Sequence, residues 1–135
     1  MSGCPVEPHL FTEDLKGIVA FYTEALGFRL ADRHPEGEDY TWCALSRGDA
    51  MIMFSTPFTG GAEPLREALD PRYGRPGAVI LYVEADDVDA LHERAKEHGV
   101  TILEPLWDAW WGLRQFTVSD PEGNLLAFFT PLRKE

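Results

Sequence analysis

The stretch Leu10-Phe11-Thr12-Glu13-Asp14 has the pattern of a strand that ends at a helix N-cap, and a helical apolar pattern connects it to Leu26-Gly27-Phe28. A second stretch, Leu81-Tyr82-Val83-Glu84-Ala85-Asp86, is followed in the same way by His98-Gly99-Val100. Thirteen residues separate Asp14 from Gly27, and thirteen separate Asp86 from Gly99. A repeat of this kind indicates that the chain is a duplication of one structural unit.

Each copy carries the signals for one helix and for several strands. Asp14 and Asp86 are predicted N-caps, because a short carboxylate accepts hydrogen bonds from the free N–H groups of the first helical turn. Gly27 and Gly99 stand where a helix ends in a left-handed residue. Each copy therefore reads βαβββ, with its later strands predicted at Phe28–Asp32, Tyr40–Ser46 and Met51–Phe54 in the first copy and at Thr101–Glu104, Leu113–Val118 and Asn124–Thr130 in the second.

The 135 residues are enough for one α+β domain with a single core. We predict that residues 1–135 form this domain from two modules, 4–57 and 76–132. The connector, 58–75, is rich in Gly and Pro, and a short helix is predicted within it at Pro64–Leu69. A connector of this length is typical of a segment that covers a cleft or a partner subunit.

Charge narrows the classes of function. Twelve Lys and Arg residues against 23 Asp and Glu residues give a net charge of −11 and a pI near 4.7. Such a surface repels phosphate backbones, so we do not expect a nucleic-acid partner. It attracts cationic small molecules and concentrates them in an acidic cleft. The alternative is that the acidic surface only keeps the protein in solution and has no role in binding a ligand.

Neither a membrane span nor a targeting segment is expected. The longest apolar run, residues 78–83, is too short to cross a bilayer. The first residues have neither the basic region nor the apolar stretch of a signal peptide, so a cytoplasmic location is expected. Cys4 and Cys43 have no metal-binding spacing and make no disulfide framework. We interpret Cys43 as core packing and Cys4 as a terminal thiol.

Three motifs, in order along nearly the whole chain, carry a resemblance to a known family. They are Ala20-Phe21-Tyr22-Thr23-Glu24-Ala25-Leu26-Gly27-Phe28, Asp86-Asp87-Val88-Asp89-Ala90-Leu91 and Asp120-Pro121-Glu122-Gly123-Asn124. A sequence with these motifs resembles the vicinal oxygen chelate superfamily, which includes glyoxalases, extradiol dioxygenases, fosfomycin-resistance enzymes and bleomycin-resistance proteins. The segment Trp111-Gly112-Leu113-Arg114-Gln115-Phe116 is similar to the bleomycin-resistance branch. The resemblance implies paired modules whose curved mixed sheets enclose a shared cleft, commonly in a homodimer, with or without module swapping.

The resemblance also implies where a metal would bind, and electron-pair donors are missing there. Metal-using members take ligands from the first and last strands of each module. The last-strand positions are Met53 and Ala127, and the first strand of the second module offers only Val79–Leu81. Glu7 and His9 remain, and two donors from one strand do not complete a metal site. We therefore expect no metal and no other cofactor.

The cleft-facing positions are instead apolar and aromatic. Alternation along the last strand places Phe129 and Ala127 in the cleft and Leu126 and Phe128 against the helices. The indoles of the segment 107–111 can stack on a planar ligand or hold a cation, or can plug the end of a sheet or a dimer interface. We interpret Arg114 as a salt-bridge partner of a nearby carboxylate. The predicted ligand-binding residues are His9, Phe11, Tyr40, Trp42, Met53, Trp107, Trp110, Trp111 and Phe129, and no catalytic residue is predicted.

The leading hypothesis is a metal-independent binding protein for an aromatic or cationic, antibiotic-like small molecule, similar to bleomycin-resistance proteins. The alternative is a metal-dependent lyase, isomerase or dioxygenase of the glyoxalase type, with its metal at Glu7 or His9 and one further donor. A third possibility is a non-catalytic relative whose dimer surface is its function.

Overall fold

Two four-stranded mixed sheets frame the computed structural model, which describes residues 7–57, 63–73, 75 and 79–132. In the first sheet the strand order is β1-β4-β3-β2, with β1 parallel to β4 and the other pairs antiparallel. The elements of this half are β1 (His9–Phe11), α1 (Leu15–Ala20), a π-helical turn (Phe21–Ala25), β2 (Arg29–His34), β3 (Trp42–Arg47) and β4 (Ala50–Ser55).

The second half repeats this arrangement after a connecting segment that contains α2 (Glu63–Leu69) and a 3-10 turn (Asp70–Arg72). Its strand order is β5-β8-β7-β6, and here β5 is parallel to β8. The α+β class and the two βαβββ modules are confirmed. The module boundaries stay predictions, because residues 58–62, 74 and 76–78 lie outside the described part. The elements are β5 (Ile80–Glu84), α3 (Val88–Glu97), β6 (Thr101–Asp108), β7 (Leu113–Ser119) and β8 (Leu125–Pro131).

The helix ends confirm three of the four predicted signals. The carboxylate of Asp14 accepts a hydrogen bond from the backbone N–H of Gly17, and Gly27 and Gly99 have φ values of +76° and +71°. The predicted cap Asp86 was wrong, because Asp87 caps α3 by accepting from the N–H of Ala90. The physical reason is the π-helical turn after α1, which adds one residue to the first helix and makes the two spacings appear equal.

One hydrophobic core is shared by both modules. It contains α1 and α3 together with the inward face of each sheet, including the fully buried Tyr22, Phe54 and Phe128. The rings of Phe28 and Phe128 meet across the module boundary, with their centroids 6.3 Å apart. Because both helices lie on this side, the opposite face of each sheet is left outside the core. We call these two surfaces the cleft faces.

Strand β6 is longer than predicted, since it continues past Glu104 to Asp108. Pro105 indicates a strand end because it has no N–H to donate. However, β6 lies at the edge of its sheet, where proline is tolerated. The register shifts on both sides of Glu104, which accommodates the proline and extends the strand to Trp107.

Candidate functional site

The cleft face of the first sheet brings four of the predicted residues together. His9 lies beside Met53 in the register of β1 and β4, and Phe11 and Trp42 flank Ser55 one pleat further on. The rings of His9 and Phe11 stack with centroids 4.7 Å apart. The imidazole Nε2 of His9 is 2.9 Å from the hydroxyl of Ser55. Burial lowers the pKa of the His9 imidazole, so the neutral ring is favoured.

Tyr40 is not placed with this group. It precedes β3, packs against the hydrophobic core, and has the Arg33 guanidinium 5.9 Å from the centre of its ring. The prediction began the strand at Tyr40, and the alternation of side chains along a strand then placed Tyr40 on the same face as Trp42. The strand begins only at Trp42, so that alternation does not reach Tyr40.

The cleft face of the second sheet carries the predicted residues Trp107, Trp111 and Phe129. Trp107 pairs with Gln115 in the register of β6 and β7, and Phe129 pairs with Gln115 from β8. The Trp107 and Trp111 rings meet edge to face at 5.4 Å, and Phe129 lies 6.0 Å from the ring of Tyr82. Trp110 contacts Trp111 but is 87% exposed. We call Tyr82, Trp107, Trp111 and Phe129 the aromatic cluster.

A polar network that the sequence interpretation missed lies at the base of the aromatic cluster. The buried amide of Gln115 accepts a hydrogen bond from the Trp111 indole at 3.0 Å and donates to Glu104 at 3.1 Å. Thr117 donates to the same carboxylate oxygen at 2.8 Å. Gln115 and Thr117 alternate along β7 with core residues Phe116 and Val118. That alternation was the available signal, because polar residues two apart in a strand share one face.

The strand register relates the positions at which the resemblance implies a metal in one module to those in the other. Tyr82 lies beside Ala127 in the second sheet just as His9 lies beside Met53 in the first, so the residue to compare with His9 is Tyr82 rather than any of Val79–Leu81. Glu7 is exposed and precedes β1. Within the described ranges, no three His, Cys, Asp or Glu side chains gather in a way that could hold a metal ion.

Two further predictions concern residues away from the aromatic cluster. Arg114 is held by Asp89 and Asp108 at 2.9 and 2.8 Å, which confirms its interpretation as a salt-bridge partner. Cys43 is buried in the core as expected, and burial raises the pKa of its thiol to about 11. Cys4 lies outside the described residues.

A separate cavity of ≈ 560 Å³ lies where the modules and the connecting segment meet. Of the predicted ligand residues it contains only Phe11, together with Tyr73, Arg72 and Glu122. The aromatic cluster lines a more open surface, since Tyr82 is 48% and Trp111 44% exposed. A ligand at the aromatic cluster would therefore rest on a sheet face rather than inside an enclosed pocket.

The family of the chain follows from its similarity to known proteins. The sequence profile of the glyoxalase/bleomycin resistance protein/dioxygenase superfamily matches residues 6–128. The chain belongs to this superfamily. It is 30% identical to a bleomycin resistance protein of Geobacillus stearothermophilus, over 93% of this chain and 96% of that protein.

Solved structures of similar proteins have the same fold. TioX from Micromonospora sp. ML1 is 28% identical and superposes with a TM-score of 0.73, covering 96% of this chain and all of that one. TnmS3, described as an antibiotic binding protein from Streptomyces sp. CB03234, is 27% identical with a TM-score of 0.69, covering 97% and 98%. None of the helices in the described part of the chain is long and apolar enough to span a membrane.

Proposed function

We propose that the protein binds an aromatic or cationic, antibiotic-like small molecule on the cleft face of its second sheet and releases it unaltered. The observation that carries this proposal is the aromatic cluster, whose rings surround the hydrogen-bonded amide of Gln115. Ring faces bind planar or cationic groups, and a few oriented polar groups set the position of the ligand. The antibiotic-binding relative TnmS3 supports the same class of ligand.

Metal independence is part of the proposal. Ala127 has no donor atom, and Met53 offers only a thioether, which is a poor ligand for hard cations. The last-strand positions beside His9 and Tyr82 therefore offer no donor atom suited to a hard cation. Without a metal to polarise a substrate, this arrangement favours holding a molecule over the metal-assisted reactions of other superfamily members.

A homodimer is also proposed, because it would cover the apolar residues of the second sheet. Val79, just before β5, and Ile80, the first residue of β5, are 60% and 49% exposed, and neither belongs to the aromatic cluster that would hold the ligand. Exposed apolar patches of this kind mark surfaces that bind a partner or a ligand. Sedimentation equilibrium tests this part of the proposal, which predicts twice the mass of one chain.

The binding function is tested by titrating the protein with planar aromatic compounds while tryptophan fluorescence is followed. The proposal predicts saturable quenching, recovery of the unchanged compound by chromatography, and the same affinity after treatment with a chelator. Conversion of the bound compound would contradict it, as would a stoichiometric metal whose removal abolishes binding.

A further inference from the structure

Glu104 on the second cleft face combines charge with a side-chain orientation that hydrogen bonds fix. In the register of the sheet it shares a row with Thr117, Ala127 and Tyr82. The two register shifts that flank it are β-bulges or related irregularities. Bulges re-aim side chains and are frequent beside binding sites.

The carboxylate of Glu104 is held through one of its two oxygens. Oε1 accepts hydrogen bonds from Gln115 and Thr117, and both of these residues are buried. Gln115 is in turn oriented by the indole N–H of Trp111. Oε2 has no hydrogen-bond or ion-pair partner among the residues that the structure describes. One oxygen therefore remains free to accept a hydrogen bond from a ligand.

The equivalent position in the first sheet shows that this arrangement is specific to the second. Asp32 on β2 pairs with Ala44 as Glu104 pairs with Thr117. Alanine has no hydroxyl to hold a carboxylate, and Trp42 stands where the second sheet has Gln115. Asp32 is exposed and, among the described residues, accepts a hydrogen bond only from the N–H of its neighbour Arg33. The two modules thus carry a carboxylate at the same place, but only Glu104 is oriented by buried side chains.

From this geometry we propose that Glu104 selects ligands that carry a protonated nitrogen with an N–H group, joined to a planar aromatic body. The proposal rests on the binding function proposed above and names its specificity residue. The free oxygen of Glu104 accepts the N–H, and the rings of Trp107 and Trp111 contact the planar body. Glu104 is half-buried and has no cationic partner in the part of the chain that the structure describes, so such a ligand is stabilising, because an opposite charge offsets the cost of its desolvation.

Three related compounds separate charge, hydrogen bonding and stacking. In mildly alkaline buffer 9-aminoacridine, called aminoacridine below, is a cation with N–H donors, N-methylacridinium is a cation without one, and acridine is neutral. Isothermal titration calorimetry with the wild type is expected to give the order aminoacridine, then N-methylacridinium, then acridine, with aminoacridine tightest.

The decisive variant is E104Q, with D32N as the matched control. Glutamine retains an oxygen to accept from Thr117 and Gln115 but removes the charge, so we expect aminoacridine to bind about tenfold more weakly, equivalent to about 1.4 kcal/mol. The affinity of E104Q for acridine should change less than about twofold. D32N removes a negative charge from the first sheet, and it should change the affinity for each of the three compounds by less than about twofold. E104D, which keeps the charge but withdraws it by one methylene, should lie between E104Q and the wild type.

The outcomes are separable. Saturable acridine binding combined with unchanged aminoacridine affinity in E104Q would overturn the role of Glu104 and leave the binding function standing. An equal loss of all three compounds in E104Q would also overturn it, since that result indicates a purely structural role. Absence of saturable binding by all three compounds to the wild type would overturn both the binding function and the specificity assigned to Glu104.

Discussion

The hydroxyl of Tyr22 donates a hydrogen bond to the carboxylate of Asp120 across 2.8 Å, and this contact joins the first helix to the Asp-Pro turn of the second module. Both residues are buried, and the carboxylate also accepts from the backbone N–H groups of Glu122 and Asn124. Burial raises the pKa of Tyr22 well above its usual value, and the negative charge of Asp120 adds to this shift. The tyrosine is therefore a permanent donor at the module boundary.

The Y22F variant should lower the free energy of unfolding by about 1.5–3 kcal/mol, the usual contribution of a hydrogen bond to a charged group. The ring packing is retained, so the change isolates the hydroxyl. Urea denaturation followed by circular dichroism measures the effect. Y40F is the control, because Tyr40 lies outside the module boundary, and its change should stay within about 0.5 kcal/mol. Equal effects of the two substitutions would contradict a special role for the Tyr22–Asp120 contact.

Cys43 should be unreactive in the folded protein. Its thiol is buried, and its raised pKa leaves little thiolate at neutral or mildly alkaline pH, whereas the thiolate is the reactive form. In a C4S background, which leaves Cys43 as the single thiol, labelling by a disulfide reagent should be at least about a hundredfold slower in buffer than in denaturant. Rapid labelling of the native protein would show that this part of the core opens readily.

His9 should make the protein less stable in mild acid. Burial lowers its folded pKa below the usual value of 6.5, so the unfolded chain takes up a proton first as the pH falls. The free energy of unfolding should therefore decrease as the pH drops through 6.5 and level off below the folded pKa. The H9Q variant should lack this pH-dependent part of the free energy of unfolding. The difference between the wild-type and H9Q curves of unfolding free energy against pH measures it. H98N, which removes an exposed histidine instead, is the control, and an equal change in both variants would contradict the assignment of this effect to His9.

Substitution of Trp111 should lower both the free energy of unfolding and the affinity for the ligand, whereas substitution of Trp110 should change neither. Replacing Trp111 by Phe removes the donor to the buried oxygen of Gln115, which should cost about 1–3 kcal/mol. It should also weaken aminoacridine binding about tenfold, because the indole that contacts the planar body and orients Gln115 is replaced by a smaller ring without a donor. W110F is a natural control, since that side chain is 87% exposed. Unaltered binding by W111F would place the ligand elsewhere, and the cavity beside Tyr73 would then be the next location to test.

The fold was predictable because its signals are local and repeated. Caps such as Asp14, left-handed glycines such as Gly27 and the alternation of β8 each depend on a few neighbouring residues. The same alternation correctly assigned Phe129 to the cleft face and Phe128 to the core. The superfamily was indicated separately, by the resemblance that the three motifs 20–28, 86–91 and 120–124 carry.

The site was less predictable because it depends on contacts between distant strands. Glu104 and Thr117 meet only through the register of β6 and β7, and that register is shifted twice around Glu104. Tyr40 was assigned to the wrong surface because alternation was extended beyond the start of its strand. Asp87 was missed because a π-helical turn in the other module concealed a difference of one residue.

That π-helical turn has a consequence for comparing the two halves of the chain. Because one half contains an additional residue within its helix, no constant offset relates equivalent positions before and after Phe21–Ala25. If the two halves are aligned with an error of one residue, a strand residue that faces solvent is matched with one that packs in the core. A chemical role in one half can therefore be assigned to a residue of the other half only by matching positions in the paired strands. Matching by sequence number alone would select an adjacent residue instead of the equivalent one.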